Sequence, residues 1–202
     1  MNAGGWAGRI TVRRVMLLCA ATGVASTAFA AAGIDGGFGA VVAKGTQLHG
    51  ATAYVVGARG GWVYKHTFVI GGGAYTTLGK GEATFGAAEG AAYRYGVAFR
   101  YAGVEVEYVG LPDEVVHYTL YTLVGGGFVD PSPAEPSAPD LGAYGCYVTE
   151  VALNGELNVL KYMRVAVGVG YRYTIGAGDD NVYTDEDLSA VTGTLTLKWG
   201  VF

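Results

Sequence analysis

Imidazole is the side chain most often recruited for acid–base or metal chemistry near neutral pH, and the chain carries three: His49, His66 and His117. They are too scattered for a zinc site. Nucleophilic catalysis needs a hydroxyl or thiol beside a base. Beyond residue 30 the serines are Ser132, Ser137 and Ser189, and none shares a strand position with a histidine. The run from Gly73 to Gly79-Lys80 has the look of a phosphate loop, but five residues rather than four separate its glycines. Gly81 also stands where a Ser or Thr must follow the lysine. The acids Asp179, Asp180, Asp185, Glu186 and Asp187 offer carboxylates without the spacing of a calcium loop, and read as a solvated segment. The richest constellation is ionic. Arg59, Arg94, Arg100, Arg164, Arg172 and Lys198 can oppose Glu105, Glu107, Glu150 and Glu156. Two kinds of chemistry fit such a set: a polar path for ions or a small solute, or a salt-bridged plug. Buried charges persist only when paired, which favours the plug.

Those charges must be held by elements, and the periodicity names them. Apolar residues alternate with small or polar ones in segments free of proline, at 37–48, 51–64, 67–78, 92–109, 115–127, 143–159, 163–175 and 190–202. A period of two is the strand period. The connections alternate in length. Lys65-His66, Gly110–Glu114 and Leu160–Tyr162 are short; 79–91, 128–142 and 176–189 are long. The 49–50 connection is a short exception among the long ones. In strand two, Val55, Gly57, Arg59, Gly61 and Val63 share one face; in strand six, Glu150, Ala152, Asn154, Glu156 and Asn158 do. The phase breaks near Ala102-Gly103, which predicts a β-bulge there.

Composition decides which face is inside. Hydrophobic residues make up 51% of the chain and charged residues 15%, against about 25% charged in ordinary soluble domains. Yet beyond residue 30 no apolar run reaches the roughly 18 residues of a membrane helix. Strands whose alternate residues face lipid reconcile the two facts. The charged face is otherwise built of Gly, Ala and Thr. Glycine weakens a solvated strand but suits a narrow interior that must also hold Arg and Glu. Aromatics gather near strand ends, with Tyr93, Tyr95, Tyr171 and Tyr173 at one rim and Trp62, Tyr64, Tyr118 and Trp199 at the other, as interface girdles do. The expected fold is therefore all-β: an up-and-down antiparallel transmembrane β-barrel of eight strands, with ten possible if 79–91 forms a hairpin. The reverse arrangement, aliphatics inward, would give a soluble lipocalin-like binding barrel.

Residues 1–30 read as a cleavable export signal. Arg9, Arg13 and Arg14 precede the apolar stretch Val15–Val24, and Ala28-Phe29-Ala30 fits the small-x-small cleavage rule. The barrel then occupies 31–202. Removing the leader takes away three arginines and no acid, so 13 basic residues fall to 10 against 17 acids, a net charge of −7. That excess argues against nucleic acid as a partner. Cys146 remains as a lone cysteine, so no internal disulfide supports the fold.

The chain ends Leu195-Thr196-Leu197-Lys198-Trp199-Gly200-Val201-Phe202. A last strand with Trp199 and a terminal Phe202 resembles the assembly signal of outer-membrane barrels. Through it the region 31–202 resembles the small eight-stranded group typified by the OmpA membrane domain, OmpX and OmpW. Two local stretches, Gly57–Trp62 with Phe68–Gly73 and Glu156–Val159 with Arg164 and Tyr171-Arg172, also resemble a family of outer-membrane barrels of unknown role. The resemblance implies residence in the outer membrane, contact with outer-membrane lipids, and engagement of the barrel-assembly machinery through the final strand. The expected function is a non-enzymatic structural or surface-interaction barrel with a closed, charge-paired lumen and no cofactor or metal. A narrow route for a small or hydrophobic solute is the alternative.

Overall fold

The computed structural model describes residues 33–48, 50–79, 81–86, 92–135, 142–176 and 184–202, with side chains described throughout except in 81–86 and 92–94. The expected leader and its cleavage site at Ala30 lie outside the described residues. The described residues form nine strands: β1 (Ile34–Leu48), β2 (Ala51–Tyr64), β3 (Phe68–Thr77), β4 (Gly81–Gly86), β5 (Ala92–Gly110), β6 (Val116–Pro133), β7 (Tyr144–Leu160), β8 (Met163–Ile175) and β9 (Ala190–Val201). A single helical turn, α1 (Asp185–Leu188), precedes β9. Neighbouring strands pair antiparallel throughout the described residues, and two contacts close the ring. β1 pairs with β9, from Gly37↔Val201 to Gly45↔Gly193, and β3 pairs with β5.

The barrel has eight staves, because β4 is a continuation of β3. Both lie against β5. Between Thr76 and Gly81 the chain advances five residues while β5 retreats three, from Arg100 to Val97. The surplus is taken up at Leu78-Gly79, where Gly79 has φ +76°, a left-handed conformation that glycine adopts without steric cost. β4 thus lengthens the β3 stave along β5 instead of adding a new one.

The bulge expected at Ala102-Gly103 is absent. Register runs unbroken from Phe68↔Tyr108 to Thr76↔Arg100 and from Tyr95↔Pro133 to Gly110↔Tyr118. What changes along β5 is the chemistry of the inner face, not its phase: Phe99 and Tyr101 point inward above Glu105 and Glu107. The same parity turns Tyr95 inward, 2% exposed, so it is not part of the outer girdle. The register does shift at the end of β7, between Asn158 and Leu160. β6 also runs into the expected 128–142 loop, through Pro131 and Pro133. Its pairing with β7 stops at Val129↔Tyr144, so these prolines lie where only β5 is beside them, at a sheet edge that tolerates a missing N–H.

The short turns explain the tightness of one end. Lys65 and His66 both have positive φ, 50° and 52°, the type I′ geometry that matches strand twist. The Thr67 amide closes the turn on the Tyr64 carbonyl at 3.1 Å. The His66 amide also donates to the Asp35 carboxylate at 2.9 Å, tying the turn to the start of β1. These turns mark a turn end; the opposite rim, bearing β4 and α1, is the loop end. Between them the outer wall is aliphatic, with Val104, Val106, Leu120, Val151, Leu153, Val167, Val169 and Leu195 exposed. This is the reverse of a lipocalin-like barrel, which would bury that face.

Candidate functional site in the barrel interior

Alternation sends one residue in two inward, and the inward set sorts into two zones. Near the turn end it is charged. Arg59 of β2 contacts two carboxylates of β5, Glu105 (Nε–Oε2 2.7 Å) and Glu107 (Nη2–Oε2 2.8 Å). Lys198 of β9 stands 2.6 Å from Glu107 Oε1 and 2.6 Å from Glu156 Oε2. Glu156 of β7 reaches His117 Nε2 at 3.3 Å and Arg164 Nη1 at 3.4 Å. The result is a ladder of alternating sign, Glu105–Arg59–Glu107–Lys198–Glu156–Arg164, spanning the tube from β2 and β5 to β7 and β8. Glu105, Glu107 and Glu156 are each 1% exposed. At that depth a carboxylate without its cation would be very costly.

Tyrosines join the ladder to a second pair. Tyr75 and Tyr121 donate to Glu105 Oε1 at 2.6 and 2.9 Å. Above them Lys44 of β1 donates to both oxygens of Glu150, at 2.9 and 2.8 Å. Tyr101 and Thr192 complete that carboxylate at 3.0 and 3.3 Å. The Lys44 ammonium also lies 3.8 Å from the centre of the Tyr75 ring, a cation–π contact strengthened by exclusion of water. Space for these groups comes from neighbouring glycines. A Cβ on Gly73 would strike Glu105 Oε1 and the Tyr75 ring; one on Gly168 would strike the Asn154 amide.

The loop end is filled differently. Val55, Val97, Phe99, Leu123, Val129, Val148 and Leu188 form a buried apolar cluster. Leu188, from α1, is fully buried. Arg172 lies in this zone with no carboxylate in contact among the described residues. Its Nε donates to the Leu188 carbonyl at 3.0 Å and its Nη2 to the Gln47 carbonyl at 3.3 Å, and its guanidinium stands 5.1 Å from the Phe99 ring.

The expected ionic set therefore divides. Arg59, Glu105, Glu107, Glu156, Arg164 and Lys198 meet in the ladder. Glu150 pairs with Lys44 and Arg172 stands apart. Arg94 lies in β5, where its side chain is not described. Arg100 is a correction: it shares parity with Ala102 and Val104 and is exposed on the outer wall. The supposed bulge had carried it inward; without an inserted residue β5 keeps it out. Lys44, Tyr75, Tyr101 and Tyr121 are participants that the sequence reading did not single out. For Lys44 the signal was present, since it shares parity with Phe38, Ala40, Val42 and Thr46 and opposes Val41 and Ala43. Of the expected assembly signal, Trp199 faces outward. Phe202 turns in, stacking on Phe38 with centroids 5.7 Å apart and lying 4.0 Å beneath the Arg164 guanidinium.

Among the described residues the centre of the interior is closely filled. The void beside Lys44, Arg59, Tyr75 and Asn154 measures about 10 Å³, no more than one water needs. His117 contacts Glu156 and Arg164, and Ser189 is engaged at the loop end with Asp185 and Thr174. Among the described residues no three His, Cys, Asp or Glu side chains gather as a metal site.

No family model matches the chain, and no curated protein sequence does. Solved structures are similar to it in fold. Neisserial surface protein A superposes with a TM-score of 0.55 at 11% identity, covering 82% of this chain and 95% of that one. The N-terminal β-barrel domain of Pseudomonas aeruginosa OprF gives 0.46 at 8%, covering 81% and 96%. Ail, the attachment invasion locus protein of Yersinia pestis, gives 0.44 at 12%, covering 82% and 97%. Neisserial surface protein A is an eight-stranded outer-membrane barrel. In architecture the chain is thus a closed, antiparallel, eight-stranded up-and-down β-barrel with the fold of the small outer-membrane barrels.

Proposed function

We propose that the chain is an outer-membrane barrel whose lumen is sealed by charge pairing and whose role is structural or surface-interacting rather than catalytic. The observation that carries this reading is the filled interior. An eight-stranded barrel encloses a space just wide enough for side chains. Here the ladder from Glu105 to Arg164 crosses it with contacts of 2.6–3.4 Å. The aliphatic outer wall with aromatics at both rims supports residence in a bilayer. By the positional logic of such barrels, short turns face the periplasm and the loop end faces outward. A sealed tube leaves the loop end, with its extended β3–β4–β5 hairpin and α1, as the part that meets partners. The final strand, ending in Trp199 and Phe202, would be the part offered to the assembly machinery.

Purified protein in planar bilayers is expected to show no steady ionic current. Steady conductance through the wild-type barrel would overturn the sealed-lumen reading. On gels, unboiled protein from the outer-membrane fraction is expected to migrate differently from boiled protein. Recovery only in the soluble fraction, without that shift, would overturn membrane residence.

A further inference from the structure

Arg100 is an anomaly on the outer wall. Among the residues whose side chains are described it is the one cation on the outward face of the strands, and it takes part in none of the ion pairs formed there. A cation on the lipid face of a barrel costs about 2–4 kcal/mol at the bilayer midplane and about 0–1 near the interface. Arg100 lies at the interface level. Its strand partner on β6 is Phe128, at the loop-end rim, and its partner on β3 is Thr76.

Beneath it runs a groove of about 830 Å³ on the barrel exterior. The groove follows two adjacent rows of the sheet. One holds Thr76, Arg100 and Phe128; the other holds Ala74, Ala102 and Gly126. The second row carries almost no side-chain bulk and forms the floor. Away from Arg100 the groove ends at Leu195 and Leu197 of β9, which pair with Ala43 and Val41 of β1. These leucines lie only a few residues above the turn end of β9, whereas Arg100 is ten residues above the turn end of β5 at Gly110. The groove therefore climbs obliquely from an apolar mouth low in the wall to a cationic head at the loop-end rim.

That polarity is the polarity of an amphiphile. We propose that the groove seats the acyl chain of an anionic, phosphate-bearing membrane lipid, whose headgroup phosphate is held by the Arg100 guanidinium with the Thr76 hydroxyl beside it. Arginine suits this task because its planar donor fork matches phosphate oxygens in a bidentate way. The small residues at positions 74, 102 and 126 let the chain lie close to the backbone, where dispersion contacts accumulate. The proposal rests on the membrane-barrel reading and adds a specific lipid site to it.

The test is native mass spectrometry of the detergent-purified barrel titrated with phosphatidylglycerol and, separately, with uncharged diacylglycerol. Each sample is also run on the heated and unheated gel. The wild type is expected to retain phosphatidylglycerol about tenfold better than diacylglycerol, the scale of one charge-assisted contact. Arg100→Gln should erase that preference. Gly126→Leu, whose added Cβ meets nothing closer than 3.5 Å, should weaken retention of both lipids by filling the floor. Inorganic phosphate at millimolar concentration should displace neither. Equal retention of the two lipids, an unchanged preference in Arg100→Gln, or displacement by free phosphate would each overturn the lipid site. A wild type that lacks the gel shift would instead overturn the membrane reading beneath it.

Discussion

The two halves of the interior solve one packing problem in opposite ways. Near the turn end the tube is crossed by buried ions, with Lys198 and Arg59 each serving two carboxylates and sharing Glu107. Near the loop end it is filled by aromatic and aliphatic side chains under Leu188, and Arg172, the one arginine among the described side chains there, bonds to main-chain carbonyls. Both halves exclude water, but they respond differently to damage. An apolar plug loses contacts in proportion to the volume removed. An ionic ladder is all-or-nothing locally, because deleting one rung leaves opposite charges buried without compensation.

Lys198→Met should therefore be the most damaging single change. It strips the shared cation from Glu107 and Glu156, and a loss of about 3–5 kcal/mol is expected, measured as a lower urea midpoint for unfolding from detergent micelles. Adding Glu156→Gln should recover much of the loss, since it removes the surplus negative charge. A cost under about 1 kcal/mol for Lys198→Met would mean that water reaches the ladder and screens it, and the contrast between the halves would collapse.

Leu188→Ala tests the other half. The side chain is fully buried, so truncation should cost about 2–3 kcal/mol through lost burial and a residual cavity, read by the same midpoint. The variant should remain silent in planar bilayers, because the ladder still crosses the tube below it. Steady current through Leu188→Ala would place the seal at the loop end and make the ladder merely structural.

The sequence made one half much easier to read than the other. A charge in a chain with few charges is conspicuous, and the period-two pattern around Arg59, Glu150, Glu156 and Lys198 told which residues share a face. Lys44 obeyed the same rule and was overlooked because its strand, rich in Ala, Val and Gly, shows weak contrast between faces. The aromatic half was misread because an inward aromatic imitates an outward one. Tyr95 reads as a rim aromatic, and setting Arg100 on the charged face with Glu105 and Glu107 requires a bulge near Ala102-Gly103. Alternation states which residues share a face. It does not state that the inner face changes from charged to aromatic partway along a strand, and that change is what misplaced Arg100. The prolines of β6 misled for a related reason: proline argues against a central strand, and nothing local shows that β7 ends earlier than β6.

Arg172→Met should be the mildest of these changes, although it deletes a fully buried charge. Among the described interior groups, Lys44, Arg59, Arg164, Arg172 and Lys198 face Glu105, Glu107, Glu150 and Glu156, so one cation is in excess, and Arg172 is the one outside every ion pair found there. Removing it leaves Glu150 still held by Lys44 at 2.8 Å. The Leu188 carbonyl keeps a contact from the Thr174 hydroxyl at 3.4 Å. A methionine of similar length can fill the space beside Phe99 with a flexible thioether suited to aromatic contact. Replacement of a buried charge by a well-packed apolar group is often close to neutral, so a cost of about 1 kcal/mol or less is expected in the urea midpoint. A loss as large as that of Lys198→Met would show that Arg172 balances Glu150 electrostatically from the neighbouring position on β8, where the two residues are cross-strand partners. The charge ladder would then have to be drawn through the whole length of the barrel instead of its turn half.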